Sequence, residues 1–312
     1  MGSGGMEAPA RLGQRRGVRV RVPAKINLHL GVGRRRADGF HEIVTVFQAV
    51  SLYDVVRAHP STSLSVRLKG EGARDLPRDQ ANLAWRAASL LAERHGVPPG
   101  VQLDIEKAIP VAAGMAGGSA DAAATLVACD AIWGLELSRA DLSDTAAELG
   151  SDVSFALLGG TALGTGRGEV LSPMLGSGAE FWWVLAFADS GLSTPGVYAE
   201  LDRQRGNDVP DLQAPDWLLK AVRSGDPAGL AEWLHNDLQS AALSLAPHLR
   251  KTLRAGTDHG ALATIVSGSG PTCAFLARDS AHATRIAAAV AGEGVCRTTR
   301  VASGPVPGAR LI

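Results

Sequence analysis

Cysteine is scarce in this chain: Cys129, Cys273 and Cys296 are widely spaced and odd in number. That excludes a disulfide framework and leaves no paired spacing for a zinc site, so they read as buried thiols in a reducing cytoplasm. Aromatic residues are only 4% of the chain, and neither sign of charge dominates, with Lys plus Arg and Asp plus Glu at 31 each. No global field recruits nucleic acid or an anionic membrane, so any attraction for anions has to be local. No run approaches the ~18 apolar residues of a membrane span. The opening MGSGGMEAPARLGQRRG lacks the apolar core of a signal peptide, and residues 1–16 read as a disordered lead-in. These absences point to a cytoplasmic protein with neither nucleic acid nor membrane as partner. A monomer or weak homodimer is expected.

What is present suffices for two domains: 312 residues, 46% hydrophobic and 20% charged. They are organised around Pro110–Ala120, PVAAGMAGGSA. The preceding Val101–Ile105 alternates like a half-buried strand, and the following Asp121–Ala128 is a run of strong helix formers. Gly114, Gly117 and Gly118 therefore sit between a strand and a helix. There they let backbone approach a ligand, while the unpaired N–H groups of the first helical turn and the helix dipole favour an anion. Ser119 can add a hydroxyl for a phosphate oxygen or a metal ion. A glycine turn that merely caps a helix remains the alternative. The loop lacks the Lys-Ser/Thr ending of the P-loop and the spacing of the dinucleotide fingerprint.

Around this loop, Val18–Val22 and Ile26–Leu30 alternate apolar and polar, so a strand pair or one bent strand spans Lys25, with Lys25 and Asn27 on one face. Arg34, Arg35 and Arg36 form a basic cluster that is either a solvated face or a means of steering an anionic substrate. Asn82–His95 has helical spacing and ends at Gly96, and Ser138–Leu149 reads as a helix capped by Ser138 and stopped at Gly150. Asp152 follows in what reads as a turn. Phe181–Phe187 opens a second domain after a boundary near Pro173, giving domains of 17–173 and 174–312. Ser193–Gly196 is a turn before a helix that carries Tyr198, and Ala263–Val266 and Cys273–Leu276 flank the Gly/Ser turn Ser267–Thr272.

PVAAGMAGGSA resembles the phosphate-loop motif of the GHMP kinases, the superfamily of galactose, homoserine, mevalonate and phosphomevalonate kinases. Three further stretches carry the resemblance, the first two to the branch that phosphorylates a cytidine diphosphate-linked methylerythritol in the non-mevalonate route to isoprenoids and the last to the superfamily as a whole. They are PAKINLHLGVGRRRADGFHEIVTVFQ at the start, GSDVS in place of G-[AS]-D-V-P, and SGSGPT, similar to the third motif. Phe40 stands where that branch more often has Tyr, and Ser154 replaces Pro. The resemblance covers nearly the whole chain after residue 17. It implies a two-domain α+β architecture with the site in the cleft between domains.

It also implies ATP as cofactor, brought with Mg2+ as its complex, although no metal ligand can be named. Pro110, Val111, Ala112, Ala113, Gly114, Met115, Ala116, Gly117, Gly118, Ser119 and Ala120 would hold the ATP phosphates, and a side chain at Gly117 would occupy their space. Asp152 would accept the proton of the attacking hydroxyl, and Lys25 would hold Asp152 ionised and offset developing charge. Asn27, Phe40, His41 and Tyr198 would bind the alcohol substrate, with Phe40 and Tyr198 sandwiching the base and His41 at its edge. A homoserine or mevalonate kinase would not need the Asp38–Glu42 turn, and a silent sensor of the same fold would need neither Lys25 nor Asp152.

Overall fold

The computed structural model describes residues 17–176, 178–206, 209, 212–213 and 216–312, so the lead-in expected at 1–16 lies outside the described residues. Two long strands dominate the first half, β1 (Val18–Arg35) and β2 (His41–Pro60), paired antiparallel along most of their length. One bent strand thus spans Lys25, not two. Pro23 has no N–H to give the ladder, and the register shifts between Pro23 and Ala24. Gly39 turns the chain between the strands with φ 86°.

Strand β3 (Ser65–Gly70) and the alternately buried β4 (Val101–Lys107) extend the sheet past β2. Helix α1 (Leu83–His95) is capped by Asn82 and stopped by a left-handed Gly96, as its spacing predicts. Helix α2 (Gly117–Trp133) has small or apolar residues on nearly every side and is buried beneath the sheet, where Ala122, Ala123, Ala124 and Leu126 are fully covered. Helix α3 (Arg139–Leu149) begins with a complete capping box between Ser138 and Asp141. Helix α4 (Ser151–Leu158) follows at once, and β5 (Thr161–Thr165) and β6 (Val170–Pro173) form a hairpin against β2.

The second half builds its own antiparallel sheet around the buried β7 (Phe181–Phe187). Helices α5 (Thr194–Arg205), α6 (Asp216–Ser224) and α7 (Pro227–Ala231) come next. The short β8 (His235–Asn236) then returns to pair with β1. Helices α8 (Gln239–Leu245) and α9 (Leu249–Asp258) lead to the hairpin of β9 (Ala263–Val266) and β10 (Cys273–Ala277). Helix α10 (Ser280–Gly292) and β11 (Thr298–Gly304) complete the sheet in the order β11-β7-β10-β9, and β12 (Arg310–Leu311) lies on the edge of β1. Two separate, mainly antiparallel sheets with helices packed on them agree with the expected α+β class, the β3–β4 and β1–β8 pairs being the parallel ones. Trp183 of β7 is fully buried, and its indole N–H donates to Gln48 of β2 at 2.9 Å, tying the two sheets together. Among the described residues no helix is long and apolar enough to cross a membrane.

Candidate active site

A cavity of about 830 Å³ takes its walls from both halves of the chain, a size suited to a small ligand. Lys25 and Asn27 project into it from β1. The Lys25 ammonium donates to Asn27 Oδ1 at 2.7 Å, Asn27 Nδ2 donates to Thr45 Oγ1 at 2.8 Å, and the Thr45 hydroxyl donates to the His29 carbonyl at 2.7 Å. Because the Thr45 proton is committed to a backbone carbonyl, its oxygen accepts, which aims the Asn27 oxygen at Lys25. Burial pulls the Lys25 ammonium below its ordinary pKa, and the Asp152 carboxylate works in the opposite direction. The expected Lys25–Asp152 partnership acts through space: among the described residues they form no direct ion pair.

Helix α2 starts with its N-terminus toward this cavity. Ala112, Gly114 and Ala116 adopt positive φ of 50°, 72° and 58°, so the loop zigzags, and no side chain caps the helix at Ala116. The first-turn N–H groups are thus left to a ligand. Ala112, Ala113, Gly114, Ala116, Gly117, Gly118 and Ser119 line the cavity. Pro110, Met115 and Ala120 are buried behind it, and Val111 lies at the surface. An added Cβ at Gly118 meets nothing within 4 Å, whereas at Gly117 it meets the Ile109 side chain at 3.1 Å. The space expected beside Gly117 is therefore protein wall, and Gly118 is the residue that faces open space.

A charged cluster holds the loop from below. Lys107 pairs with Asp54 and with Asp121 (2.6 Å) and donates to the Gly117 carbonyl at 3.2 Å. Asp54 also accepts from the backbone N–H groups of Ala108 and Ile109. Burial works to lower the Lys107 pKa, but the two carboxylates outweigh it and raise it. Burial drives Asp121 well above the carboxylate range against the pull of Lys107. From the other half, the β9–β10 turn closes on the loop: Ser267 Oγ donates to the Gly114 carbonyl at 3.2 Å. A Cβ at Gly114 would fall 2.2 Å from the Ser267 carbonyl, and one at Gly268 would fall 3.4 Å from Lys25 Nζ. Only glycine fits at 114, and a side chain at 268 would crowd Lys25 and Asn27.

Asp152 also lines the cavity, in the first turn of α4. The sequence reading places it in a turn, but Gly150, at φ 150°, ends α3 and lets α4 begin immediately. The carboxylate thus sits where a helix dipole favours negative charge. Ser154, which stands in place of Pro, is the fourth residue of the same helix.

At the far end, Phe40 is 57% exposed and carries the Arg167 guanidinium 5.1 Å from its ring centroid. His41 is buried, its Nε2 lies 2.8 Å from Asp202 Oδ1, and Tyr198 stacks on its ring with centroids 5.0 Å apart. Tyr198 lays one face on His41 and Phe40 one on Arg167, which leaves the other face of each ring for the expected base. Burial pushes the Tyr198 hydroxyl pKa up, and the Asp152 carboxylate adds to it. Of the arginine cluster, Arg35 lines the cavity and Arg36 pairs with Asp38 at 3.2 Å.

Comparison with known proteins draws these features together. Residues 82–160 match the GHMP kinases N terminal domain and residues 218–296 the GHMP kinases C terminal domain. The 4-diphosphocytidyl-2-C-methyl-D-erythritol kinase of Rhodococcus jostii is 60% identical over 298 residues, covering 95% of this chain and 96% of that protein. The Mycobacterium tuberculosis protein of the same name is 59% identical over 296 residues, covering 95% and 93%. The chain belongs to the 4-diphosphocytidyl-2-C-methyl-D-erythritol kinase family of GHMP kinases. A crystal structure of 4-(cytidine 5'-diphospho)-2C-methyl-D-erythritol kinase superposes with a TM-score of 0.74 at 34% identity, covering 91% of this chain and 98% of that one. This GHMP kinase is therefore an ATP-using transferase. Its cavity is lined by Arg167 and Asp202, whose contacts no motif announces, and behind its wall stand Thr45, against Asn27, and the Asp54–Lys107–Asp121 cluster under the loop. The alternation of Val101, Leu103 and Ile105 in β4 marks Lys107 as an inward-facing position, and that is the one signal the cluster leaves in the sequence.

Proposed function

We propose that this enzyme transfers the γ-phosphoryl group of ATP to the 2-hydroxyl of 4-diphosphocytidyl-2-C-methyl-D-erythritol. The reaction yields the 2-phosphate and ADP in the methylerythritol phosphate pathway. The observation that carries the reading is one cavity shared by an uncapped helix N-terminus, the Lys25 and Asp152 pair, and the aromatic end at Phe40, His41 and Tyr198. The two-domain division at residue 173, between β6 and β7, goes with it.

In this reading the loop from Ala112 to Ser119 takes the ATP phosphates on its backbone N–H groups. Asp152 takes the proton of the substrate hydroxyl. Lys25, pointed by Asn27 and Thr45, offsets negative charge on the transferring group without a covalent step. Among the described residues no group of three or more His, Cys, Asp and Glu is placed to hold a metal ion. Magnesium is therefore proposed to arrive on the ATP phosphates, with Ser119 and Asp152 as the oxygen donors near it. It would supply neutralisation of phosphate charge. The base stacks on the open face of Phe40, which Arg167 backs, with His41 at its edge. A cytoplasmic location and a monomer or weak homodimer accompany the reading, and the even charge supports the lack of a nucleic-acid partner.

The test is kcat/KM for the cytidyl substrate against bare methylerythritol phosphate, in wild type and in Phe40→Ala. Loss of one stacking contact costs about 1–3 kcal/mol, so the variant should raise KM for the cytidyl substrate by about fivefold or more and leave the bare compound unaffected. Equal kcat/KM for the two compounds in the wild type would discard this substrate.

A further inference from the structure

One helix holds His41 from two sides. Tyr198 and Asp202 stand four residues apart on α5 and so share a face of it. Tyr198 lays its ring on the imidazole at an interplanar angle of 28°, and Asp202 Oδ1 meets Nε2 at 2.8 Å. His41 belongs to the first sheet, so both contacts join the two halves of the chain. An ionised carboxylate only accepts hydrogen bonds, so the proton in this pair sits on Nε2. In the neutral ring the other nitrogen is then an acceptor. Among the described residues Nδ1 has no hydrogen-bond partner, it is absent from the buried unpartnered atoms, and His41 lines the cavity.

We propose that Asp202 fixes the His41 tautomer so that Nδ1 accepts a hydrogen bond from the exocyclic amine of the base, which makes Asp202 the positioning residue for cytidine over uridine. The inference rests on the reading that the base lies at His41. Cytosine offers an amino donor where uracil offers a carbonyl acceptor. An acceptor set against a second acceptor leaves both unpaired in a partly dry pocket, which is where discrimination is strongest. Stacking on Phe40 cannot supply it, because every base has a π-face.

The test measures kcat/KM for the cytidyl substrate and its uridyl analogue in wild type, D202A, D202N and H41A, beside thermal melts. Nitrogen NMR of histidine-labelled protein, with His41 assigned by its loss in H41A, reads the tautomer directly. Wild type should show His41 protonated on Nε2 and bare on Nδ1. D202A frees the ring, and D202N can donate to Nε2 as readily as accept from it. Both should lower the cytidyl-to-uridyl ratio by about tenfold. The loss should fall on KM for the cytidyl substrate, with kcat held within about twofold. The Asp202 side chain is 44% exposed, so the melts should barely move. A proton on Nδ1 in the wild type overturns the inference. So does a ratio that H41A collapses but D202A and D202N leave alone, an outcome in which the substrate reading survives. A ratio unmoved even by H41A removes the base from His41 and the inference with it.

Discussion

Placing valine at Gly118, and separately at Gly117, divides anion binding from packing. Gly118 is an exposed residue in the first turn of α2, and an added Cβ there meets nothing within 4 Å. Replacing a helical glycine by valine gains a few tenths of a kcal/mol of helix propensity, so the G118V fold should be as stable as the wild type. Its branched side chain, however, stands over the N–H groups that no cap residue occupies. Losing one hydrogen bond to a charged phosphate costs about 1.5–3 kcal/mol, which weakens ATP binding by about tenfold to 150-fold. Gly117 behaves in the opposite way. Its Cβ would lie 3.1 Å from Ile109 Cγ2 and 3.4 Å from Lys107 Nζ, and the two further methyls of valine have to enter that wall. Overpacking of this kind costs about 1–3 kcal/mol. Calorimetric titration with ATP beside a thermal melt separates the two. G118V should keep its melting temperature and lose affinity, and G117V should melt lower. If G118V binds ATP as tightly as wild type, the helix N-terminus does not hold the phosphates and the anion-cradle argument fails.

Asp152→Asn keeps the volume of the carboxylate but cannot take a proton, so turnover should fall by about 10²–10⁴-fold with ATP affinity nearly intact; retained turnover would make Asp152 a structural residue of α4. Lys107→Met leaves Asp54 and Asp121 buried beside each other without a cation, and denaturant unfolding should show a loss of about 3–5 kcal/mol. His29 is buried, and burial, with His235 adding and Asp237 opposing, depresses its pKa to about 4 from the ordinary 6.5. The unfolded chain therefore binds a proton between those values that the folded chain does not, so stability is full above pH 6.5 and falls as the pH drops toward 4, by up to about 3 kcal/mol. His29→Gln should flatten that fall in melting temperature, and an unchanged slope would show that other groups set it.

Much of this site was legible because its chemistry depends on backbone. A glycine-rich loop needs particular residues wherever it occurs, so PVAAGMAGGSA could be read before any fold was known. Helices α1 and α3 were equally open, since Asn82, Gly96, Ser138 and Gly150 act locally. Contacts between distant segments were not. Asp202 meets His41 across 161 residues and Arg167 reaches Phe40 from the β5–β6 turn, and nothing in the local pattern of either segment announces its partner. The place of Tyr198 was hidden for the same reason: the sequence offers two aromatics, but only the angle at which α5 approaches β2 decides that Tyr198 lays one face on His41. The buried Lys107 could be placed on the inner face of β4 by alternation, whereas its two carboxylates arrive from β2 and α2.

The central claim is the transfer of phosphate to one particular hydroxyl. It is tested most directly by incubating the purified protein with ATP, magnesium and 4-diphosphocytidyl-2-C-methyl-D-erythritol and following the phosphorus spectrum. The account predicts ADP and, in equal amount, a new phosphomonoester resonance that correlates with the 2-position of the methylerythritol. ADP without that ester, or an ester on another hydroxyl, would contradict it.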